Sequence, residues 1–466
     1  MDGKKIRIGV LGCSNFLRNR IIEAVKKCEY CEIVCLASRN VEKAKSWSEE
    51  FGIESYGNYE SLLRREDIDA VYVSLPIGLH KEWTIKSANA GKHVLCEKAL
   101  AESLESVKEM IESCKMNKVK LSENIMIKFH PQHNKVFDMV NEGKIGEVFS
   151  VKSSFGHPPL DEKDIRYDKN LNNGVMEDLA CYPIFISTKI FAGNPVSVNC
   201  SLQKDENGNE IRGHLELEFE NGRVCLADFG FDNFYQNKYE VWGSEGLLRV
   251  NRAYPIDEMK PDIDYEHGFD EKDKVDIDGF NQYTKSFDEF CLDILEDRDS
   301  DFEGMLNLAK IMESLRISAK EVRKVKLSEI ENKKKVVVVS GYFDPIHNGH
   351  LELMEKARSL GDKLIVIVNN DKQVNMKRGK DPFMNENDRK KLVESIRLVD
   401  EAFISIDTDR SVVESLREIN PDIFANGGDR NQGEVPETPV CRELGIEMVD
   451  GQGEKIATSR DYYLNN

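Results

Sequence analysis

The sequence IRIGVLGCSNFL at residues 6–17 decides the fold of the first part of the chain. Its apolar half, Ile6–Leu11, has the length and composition of a buried strand, and a helical pattern follows it. A short strand-to-helix connection points backbone N–H groups at the place where the pyrophosphate of a dinucleotide can bind. Of the usual three glycines only Gly12 is present, because Ser14 and Leu17 stand at the other two positions, so an ordinary turn is the alternative. The expected cofactor-binding residues in this turn are Gly12, Ser14, Asn15 and Phe16.

Short apolar runs alternate with amphipathic stretches through the first 120 residues. This alternation is typical of a parallel sheet wound by helices, and it predicts a dinucleotide-binding Rossmann domain at residues 1–122. The predicted strands are Ile6–Leu11, Glu32–Ser38, Ala70–Leu75 and His93–Glu97, and the predicted helices are Arg20–Lys27, Val41–Phe51 and Lys81–Ala90.

Longer alternating runs separated by turn signals begin near Val148, and they indicate an antiparallel sheet. We therefore expect an α+β substrate and oligomerisation domain at residues 123–328. Its predicted strands are Val148–Phe155, Gly213–Phe219, Arg223–Phe229 and Tyr239–Trp242, and its closing helices are Tyr283–Leu295 and Met305–Val322.

A charged stretch without an apolar face predicts a linker at residues 329–335, after which strands and helices alternate again. Residues 336–466 are thus expected to form a second α/β unit of ordinary domain size. The predicted fold class is α/β: an N-terminal Rossmann fold, an α+β domain with a mostly antiparallel sheet, and a C-terminal Rossmann-like domain. In this last domain we predict the strands Val336–Val339, Lys363–Asn369 and Ala402–Ile406 and the helices Asn387–Leu398 and Ser411–Ile419.

The composition excludes several classes of partner. The 466 residues include 84 acidic against 65 basic side chains, giving a formal net charge of −19, which repels nucleic acid and anionic lipid. The apolar runs are far shorter than the roughly 20 residues of a membrane span, and Met1–Lys5 shows no secretory signal, so a cytoplasmic enzyme is expected.

The eleven cysteines are scattered and odd in number, which indicates reduced thiols. Cys28, Cys31 and Cys35 resemble metal-ligand spacing, but no second Cys or His pair follows at a suitable distance and Cys35 lies in an apolar run. The sequence therefore predicts core packing for them and no metal site.

The predicted second strand ends in Ser38-Arg39, where NAD-binding proteins usually carry an acidic residue for the ribose hydroxyl. A hydroxyl and a guanidinium suit a 2′-phosphate instead, because Arg presents a planar fork to phosphate oxygens. We therefore expect NADP(H) in preference to NAD(H), with an exposed loop arginine as the alternative interpretation.

Two further segments, Val71–His80 and Gly91–Ala99, each consist of a strand followed by a loop, and the second ends in the charged pair Glu97-Lys98. They resemble the glucose-fructose oxidoreductase and inositol dehydrogenase family, in which a Rossmann strand ends in Glu-Lys-Pro; here Ala99 replaces the proline. The resemblance extends over residues 4–325 and implies an NAD(P)-dependent oxidoreductase that tends to form dimers or tetramers. It adds Leu75, Pro76, His80, Glu97 and Lys98 to the expected cofactor site, although His80 fits a hydrogen-bonded loop histidine equally well.

Lys98 has a clear chemical purpose in such an enzyme. Transfer of a hydride at a carbinol carbon requires a proton to move at the adjacent oxygen, and a nearby cation polarises the carbonyl and stabilises a developing alkoxide. A lysine at the carboxyl edge of a parallel sheet reaches the crevice where ligands bind. A surface lysine paired with Glu97 is the alternative.

The segment Asn172–Pro183 resembles the same family's Gly-rich turn before Asp-x-Gly-x-His or Asp-x-Gly-x-Tyr, with Ala180 in place of the glycine. Asp178 and Tyr182 are four positions apart, which places both on one helix face. The resemblance puts Tyr182 at the acid/base position, where we expect it to donate a proton if Lys98 lowers its pKa.

The strongest single motif is VVSGYFDPIHNGH at residues 338–350, a strand and turn followed by His-x-Gly-His at the start of a helix. His347 and His350 at a helix N-terminus can stabilise charge on an α-phosphate as pyrophosphate departs. Gly349 leaves room for the phosphate. Zinc is the competing use of two histidines, but a third ligand is lacking nearby.

This motif is similar to that of the cytidylyltransferase superfamily, and the resemblance extends from Lys335 to Leu464. Further matching pieces are the basic loop at residues 377–380, the segment at residues 426–430 and the hydroxyl-rich segment at residues 455–460. In the family these reach the triphosphate, the nucleoside and the phosphates respectively. The implied nucleotide-binding residues are Gly341, Tyr342, Phe343, His347, Gly349, His350, Lys377, Arg378, Gly427, Gly428, Asp429, Arg430, Thr458, Ser459 and Arg460.

The two resemblances together predict a bifunctional enzyme. One half reduces a sugar or keto-polyol phosphate, and the other transfers a cytidylyl group from CTP, with ATP as the alternative and Mg²⁺ to neutralise the leaving pyrophosphate. The product would be a CDP-linked polyol, of the kind used as a cell-surface polysaccharide precursor. Two rival hypotheses are that only the transferase is active beside a degenerate NADP-binding module, and that the first half is a sensor that binds NADP without turnover.

Overall fold

The protein is described by a computed structural model that covers residues 5–159, 161, 164–167, 171, 174–255, 261–268, 271–277, 280–331, 335–427 and 435–451. The chain divides into two compact units, residues 1–331 and 332–466, and this division falls within the predicted linker. Among the helices in these ranges, none is both long and apolar enough to cross a membrane.

The first unit opens with a six-stranded parallel sheet of order β3-β2-β1-β4-β5-β6, which is the Rossmann arrangement. Strands and helices alternate because each apolar strand is followed by an amphipathic helix that covers one face. The elements are β1 (Ile6–Leu11), α1 (Ile22–Val25), β2 (Cys31–Ala37), α2 (Val41–Phe51), β3 (Ser55–Gly57), α3 (Tyr59–Leu63), β4 (Ala70–Val73), α4 (His80–Asn89), β5 (His93–Glu97), α5 (Leu104–Met116) and β6 (Leu121–Asn124). A π-helical turn, Leu17–Ile21, precedes α1.

Hydrophobic cores lie on both faces of this sheet, because β1 directs Ile8 and Val10 to one side and Leu11 to the other. A later helix, α9 (Gln282–Leu295), returns from the second domain and packs Phe287 into the first of these cores. The Rossmann fold is therefore completed by a segment far away in the sequence.

The rest of the first unit is built on a nine-stranded sheet of order β14-β13-β12-β11-β7-β10-β9-β8-β15. Among its described strands, β7 and β10 pair in parallel and the other neighbours are antiparallel, which confirms the predicted mostly antiparallel sheet. Helices cover one face and bury a large apolar core. The elements are α6 (Pro131–Asn141), β7 (Val148–Gly156), α7 (Val175–Leu179), α8 (Cys181–Ile190), β8 (Ser197–Lys204), β9 (Glu210–Glu218), β10 (Val224–Gly230), β11 (Gln236–Gly243), β12 (Leu247–Val250), β13 (Ile263–Glu266), β14 (Lys272–Val275), α10 (Phe302–Glu321), β15 (Val325–Lys326) and α11 (Leu327–Glu331).

The second unit is a parallel sheet of order β18-β17-β16-β19-β20 with an apolar core on each face. Its first strand lies at the centre, so the loop after it opens at the point where the strand order reverses, which is the usual ligand position in such sheets. The elements are β16 (Val336–Gly341), α12 (Asn348–Arg358), β17 (Lys363–Val368), α13 (Asp371–Arg378), α14 (Glu386–Glu394), β18 (Glu401–Ile404), α15 (Val413–Ile419), β19 (Ile423–Ala425), α16 (Thr438–Leu444) and β20 (Glu447–Val449).

Candidate active sites

In the first unit, a cavity of about 560 Å³ opens at the carboxyl ends of the parallel strands. The loops after β1, β2, β4 and β5 all contribute to it, as expected for the ligand crevice of such a sheet. It brings together most of the residues expected from the sequence, namely Gly12, Ser14, Phe16, Ser38, Arg39, Leu75, Pro76, Glu97, Lys98, Asp178 and Tyr182.

The turn after β1 is held tightly against the turn after β4. Gly12 has a φ of 104°, and a Cβ there would lie 2.3 Å from the carbonyl oxygen of Ser74, so only glycine fits. Ser14 accepts a hydrogen bond from the N–H of Leu17 (3.0 Å), and its hydroxyl lies 2.8 Å from that of Ser74. Ser14 therefore braces the turn at the position where the usual pattern has glycine.

The residues after β2 fit a 2′-phosphorylated cofactor. Ser38 is buried and accepts a hydrogen bond from the N–H of Asn40 (3.2 Å), while the guanidinium-bearing Arg39 is exposed and lines the cavity. The Ser38 hydroxyl and the Arg39 guanidinium can donate hydrogen bonds to phosphate oxygens. With the backbone of the Gly12 turn lining the same cavity, these groups suit the phosphates of NADP(H).

Two predicted residues lie outside the cavity lining. Asn15 is exposed at the helix start. His80 is fully buried, with Nε2 2.7 Å from the Leu75 carbonyl oxygen and Nδ1 3.0 Å from that of Ala99. It therefore lies between the loops after β4 and β5; burial lowers its pKa, so the neutral ring donates one hydrogen bond, to one of these two carbonyl oxygens. This matches the alternative interpretation as a hydrogen-bonded loop histidine.

Lys98 pairs with Asp178 instead of Glu97. Its ammonium donates to both the carboxylate and the carbonyl oxygen of Asp178, the latter at 2.5 Å. Glu97 accepts hydrogen bonds from the hydroxyl of Tyr72 and the amide of Asn124, both at 2.6 Å. The pairing of Glu97 with Lys98 considered from the sequence is therefore wrong: Glu97, the last residue of β5, is bonded to Tyr72 and Asn124, whereas Lys98, just after the strand, is bonded to Asp178.

The sequence did not identify Arg166, whose Nε donates to the other carboxylate oxygen of Asp178 at 2.7 Å. Burial by itself would raise the pKa of Asp178, but Arg166 and Lys98 outweigh it and hold that pKa below its ordinary range. For Lys98, burial disfavours the charge, yet Asp178 raises the pKa above its ordinary value. The site therefore holds a lysine cation in a buried position.

Tyr182 lies beside this cation, with the Lys98 nitrogen 5.3 Å from its ring centroid, and it stacks on Tyr254. Burial, reinforced by Cys181 and Asp178, raises the pKa of Tyr182 well above 10. The expectation that Lys98 lowers this pKa is wrong, since Asp178 already neutralises the lysine. The phenol stays protonated, which is the state that a proton donor requires.

In the second unit, β16 ends at a turn and His347 caps the N-terminus of α12. The rings of His347 and His350 stack with centroids 3.8 Å apart, and the His350 Nδ1 accepts a hydrogen bond from the backbone N–H of His347 at 3.3 Å. Burial, with His347 and Lys377 nearby, lowers the pKa of His350 to about 3. Both imidazoles therefore lie at a positive helix end where an anion can bind.

Three basic residues lie near the histidines, and each contacts a different group. The Lys377 ammonium lies 3.8 Å from the ring centroid of Tyr342. Arg378 is paired with the fully buried Asp344 at 2.6 Å, so it holds the turn after β16 in place. Arg389, which the sequence did not single out, is fully buried and donates to the carbonyl oxygen of Tyr342 at 2.7 Å. A buried arginine leaves no periodic signal that would have revealed this role.

The remaining predicted nucleotide-binding residues are less completely described. Gly341 and Phe343 lie at the end of β16, where a Cβ on Gly341 would come 2.6 Å from the Phe343 ring. Gly349 is in the first turn of α12. Gly427 follows β19, beside Asn426, whose amide donates to Asp450 at 3.1 Å. Gly428, Asp429, Arg430, Thr458, Ser459 and Arg460 lie outside the described residues.

Comparisons with known proteins agree with this division. Three family models match: "Oxidoreductase family, NAD-binding Rossmann fold" at residues 6–125, "GFO/IDH/MocA C-terminal domain" at residues 133–249, and "Cytidylyltransferase-like" at residues 338–438. The chain therefore belongs to the Gfo/Idh/MocA oxidoreductase family and carries a cytidylyltransferase-like domain behind it. It is an oxidoreductase fused to a nucleotidyltransferase.

Individual relatives match the first unit. The chain is 33% identical over 326 residues to a dTDP-3,4-didehydro-2,6-dideoxy-alpha-D-glucose 3-reductase of Actinomadura kijaniata, a match over 69% of this chain and 98% of that protein. It is 33% identical to a D-xylose 1-dehydrogenase (NADP(+)) 2 of Haloferax volcanii, over 53% of this chain and 77% of that protein. The crystal structure of a 3-ketoreductase from Actinomadura kijaniata in complex with NADP and TDP-benzene superposes with a TM-score of 0.65 at 33% identity, covering 68% of this chain and 98% of that one.

Proposed function

We propose that this protein reduces a sugar or keto-polyol phosphate with NADPH and then transfers a cytidylyl group from CTP onto the resulting alcohol phosphate. The products would be a CDP-linked polyol and pyrophosphate. The observation that carries the proposal is the Lys98 ammonium, held by Asp178 in a cavity whose other wall is formed by the cofactor-binding turns.

In the first reaction, Gly12, Ser38 and Arg39 would hold the cofactor, which when bound supplies the hydride. Lys98 would orient and polarise the carbonyl oxygen of the substrate, because its charge is fixed beside the cavity. Tyr182, whose phenol stays protonated, would donate the proton to the developing alkoxide.

In the second reaction, His347 and His350 would stabilise charge on the α-phosphate while the alcohol phosphate attacks it. Mg²⁺ would enter with the triphosphate and neutralise the pyrophosphate as it leaves. The cytidylyltransferase-like match favours CTP over ATP.

A second order of events is favoured by the relatives, several of which reduce dTDP-linked keto sugars. By analogy, the transferase would act first and the reductase would accept the nucleotide-linked ketone. The site at Lys98 serves both orders equally, since the carbonyl group has the same chemistry in either substrate.

The test is a panel of three- to seven-carbon ketose, aldose and polyol phosphates. Each is incubated with NADPH alone, with CTP and Mg²⁺ alone, and with all three, while NADPH absorbance and pyrophosphate are followed. Reduction of a free carbonyl phosphate without CTP supports the first order, and reduction that requires CTP supports the second. If pyrophosphate is released but NADPH is not oxidised with any compound of the panel, the proposed reduction is contradicted. That result would support the alternative in which only the transferase is active and the first half is a degenerate NADP-binding module.

We also propose that the protein forms a homo-oligomer through its nine-stranded sheet. Phe149, Leu226 and Trp242 lie on three adjacent strands, β7, β10 and β11, and are all substantially exposed. The rings of Phe149 and Trp242 are in contact, with centroids 4.8 Å apart. Exposed apolar side chains rimmed by charged ones, here Lys152 and Glu240, are typical of a subunit interface. Analytical ultracentrifugation should show an oligomer that Trp242→Glu dissociates; a monomeric wild type would contradict this.

A further inference from the structure

Two cysteines at the start of the Rossmann domain meet an acidic side chain from a distant helix. Cys28 follows α1 and Cys31 begins β2, and both are buried. Asp288 lies on α9, where its carboxylate accepts hydrogen bonds from the backbone N–H groups of Glu29 (3.0 Å) and Tyr30 (3.1 Å). The potential ligand atoms of Cys28, Cys31 and Asp288 all lie within 4.8 Å of one another.

A third cysteine joins them from the same helix. Cys291 is also buried, lies three positions after Asp288 on α9, and is one of the groups that raise the pKa of the Cys31 thiol. Cys28 and Cys31 form a Cys-x-x-Cys pair, while Asp288 and Cys291 form an Asp-x-x-Cys pair on one face of α9. The ligand atoms of Cys28, Cys31 and Asp288 thus already lie close together, and Cys291 is the candidate fourth ligand on the same helix as Asp288.

We propose that Cys28, Cys31, Asp288 and Cys291 bind one zinc ion. Zinc favours four-coordinate tetrahedral sites of thiolate, imidazole and carboxylate ligands, with Zn–S distances near 2.3 Å. That geometry puts neighbouring sulfurs roughly 3.8 Å apart, which is within the 4.8 Å that separates the ligand atoms of Cys28, Cys31 and Asp288 at most. Four closed protein ligands define a structural site, since no position remains for substrate.

The sequence predicted no metal site at these cysteines because it shows no second Cys or His pair at a suitable distance. The second ligand pair follows Cys31 only after more than 250 residues, whereas structural zinc motifs usually keep both pairs close together. Only the return of α9 to the Rossmann domain brings the pairs together.

The ion would fasten α9 to the beginning of β2. From α9, the Ser286 hydroxyl donates to Asn124 at 2.6 Å, and Asn124 donates to Glu97 beside the active-site lysine. The site is therefore expected to stabilise the first unit and, through this hydrogen-bonded chain, the end of β5 just before Lys98.

The test uses the full-length protein produced in zinc-supplemented medium and purified without chelator. Inductively coupled plasma mass spectrometry should find about one zinc per chain, and the variants C31S and C291S should each lose most of it. C114S is the matched control, because Cys114 is equally buried but lies outside the cluster, and it should keep the metal.

A second measurement does not depend on the folding of variants. Wild-type protein in which Co²⁺ replaces the zinc should show intense thiolate-to-cobalt absorption in the near ultraviolet together with tetrahedral d–d bands. Chelation of the bound zinc should lower the Tm of the first unit, and zinc should restore it. Substoichiometric metal with no cobalt–thiolate absorption would overturn the proposal, as would a Cys28–Cys31 disulfide found by mass spectrometry of the unreduced protein.

Discussion

Lys98 and Asp178, eighty positions apart, are joined by two hydrogen bonds from one ammonium group, to the carboxylate and to the carbonyl oxygen of the same aspartate. Lys98 directly follows β5 of the Rossmann sheet, and Asp178 belongs to the second domain. Asp178 of the second domain thus holds the ammonium group of Lys98 in place. Arg166, from another segment of the chain, bonds to the other carboxylate oxygen of Asp178.

Substitution Asp178→Asn should expose this dependence. Without the carboxylate, burial and the repulsion from Arg166 both lower the pKa of Lys98. We expect NADPH oxidation to fall on the order of 10²-fold and to decline further as pH rises through the lowered pKa of Lys98. Asp164→Asn is the control, because Asp164 pairs with Arg166 but not with Lys98. A pH–rate profile of Asp178→Asn parallel to that of the wild type would contradict the assignment.

Arg39 should distinguish the two nicotinamide cofactors. Substitution Arg39→Asp removes a charge-assisted contact to the 2′-phosphate and adds a repulsive charge, so NADPH affinity should fall roughly 10- to 100-fold. NADH lacks that phosphate and should be affected far less. Fluorescence titration of both cofactors measures the difference, and equal losses would rule out the proposed contact.

Acid should destabilise the first unit through two buried histidines. Burial lowers the pKa of His130 to about 4 and, with His130 nearby, that of His133 to about 3. As pH falls below about 6.5, the unfolded chain therefore binds protons that the folded chain does not, until the folded pKa values are reached. The free energy of unfolding should decrease by up to about 1.4 kcal/mol per histidine per pH unit in this window.

Urea unfolding between pH 7 and pH 5 checks this slope. His133→Asn should flatten it, whereas the same change at His214, an exposed residue paired with Asp228, should leave it unchanged. An identical slope in the His133 variant would show that other groups govern the acid response.

His350 should be required only for nucleotidyl transfer. We expect His350→Ala to reduce pyrophosphate release on the order of 10²-fold or more, since a preorganised group at the α-phosphate is lost. NADPH oxidation should be unchanged, because the two sites belong to separate units. Lys356→Ala, on the same helix but paired with Glu352, is the control. Loss of NADPH oxidation in a folded His350→Ala protein would disprove independent sites.

The sequence predicted the strands well because buried parallel strands are continuous apolar runs, and Ile6–Leu11 and His93–Glu97 have the predicted bounds. It also identified residues that follow strands, such as Arg39 and Lys98, since the carboxyl ends of parallel strands share one edge. The three-residue strand Ser55–Gly57 was not predicted, because so short an element shows no repeating pattern of apolar residues.

Contacts across long separations could not be predicted. Tertiary packing determines that Lys98 pairs with Asp178 and not with Glu97. It also determines that α9 returns to the first domain. The raised pKa of Tyr182 likewise results from burial and from a lysine whose charge is already neutralised. None of these leaves a local pattern in the sequence.

The order of the two reactions can be determined with one variant. Lys98→Met removes the cation of the reductase site while leaving the second unit untouched. If reduction comes first, this variant should make no CDP-linked alcohol from a carbonyl phosphate, NADPH, CTP and Mg²⁺, yet should convert the pre-reduced alcohol phosphate at the wild-type rate. If transfer comes first, it should instead accumulate the CDP-linked carbonyl compound, which mass spectrometry separates by two mass units from the alcohol. Tethering both sites in one chain raises the local concentration of the shared intermediate in either order. A contrary outcome is that the second unit transfers a cytidylyl group neither to the carbonyl compounds that the first unit reduces nor to the corresponding alcohols. In that case the two units act on separate substrates and sequential action is wrong.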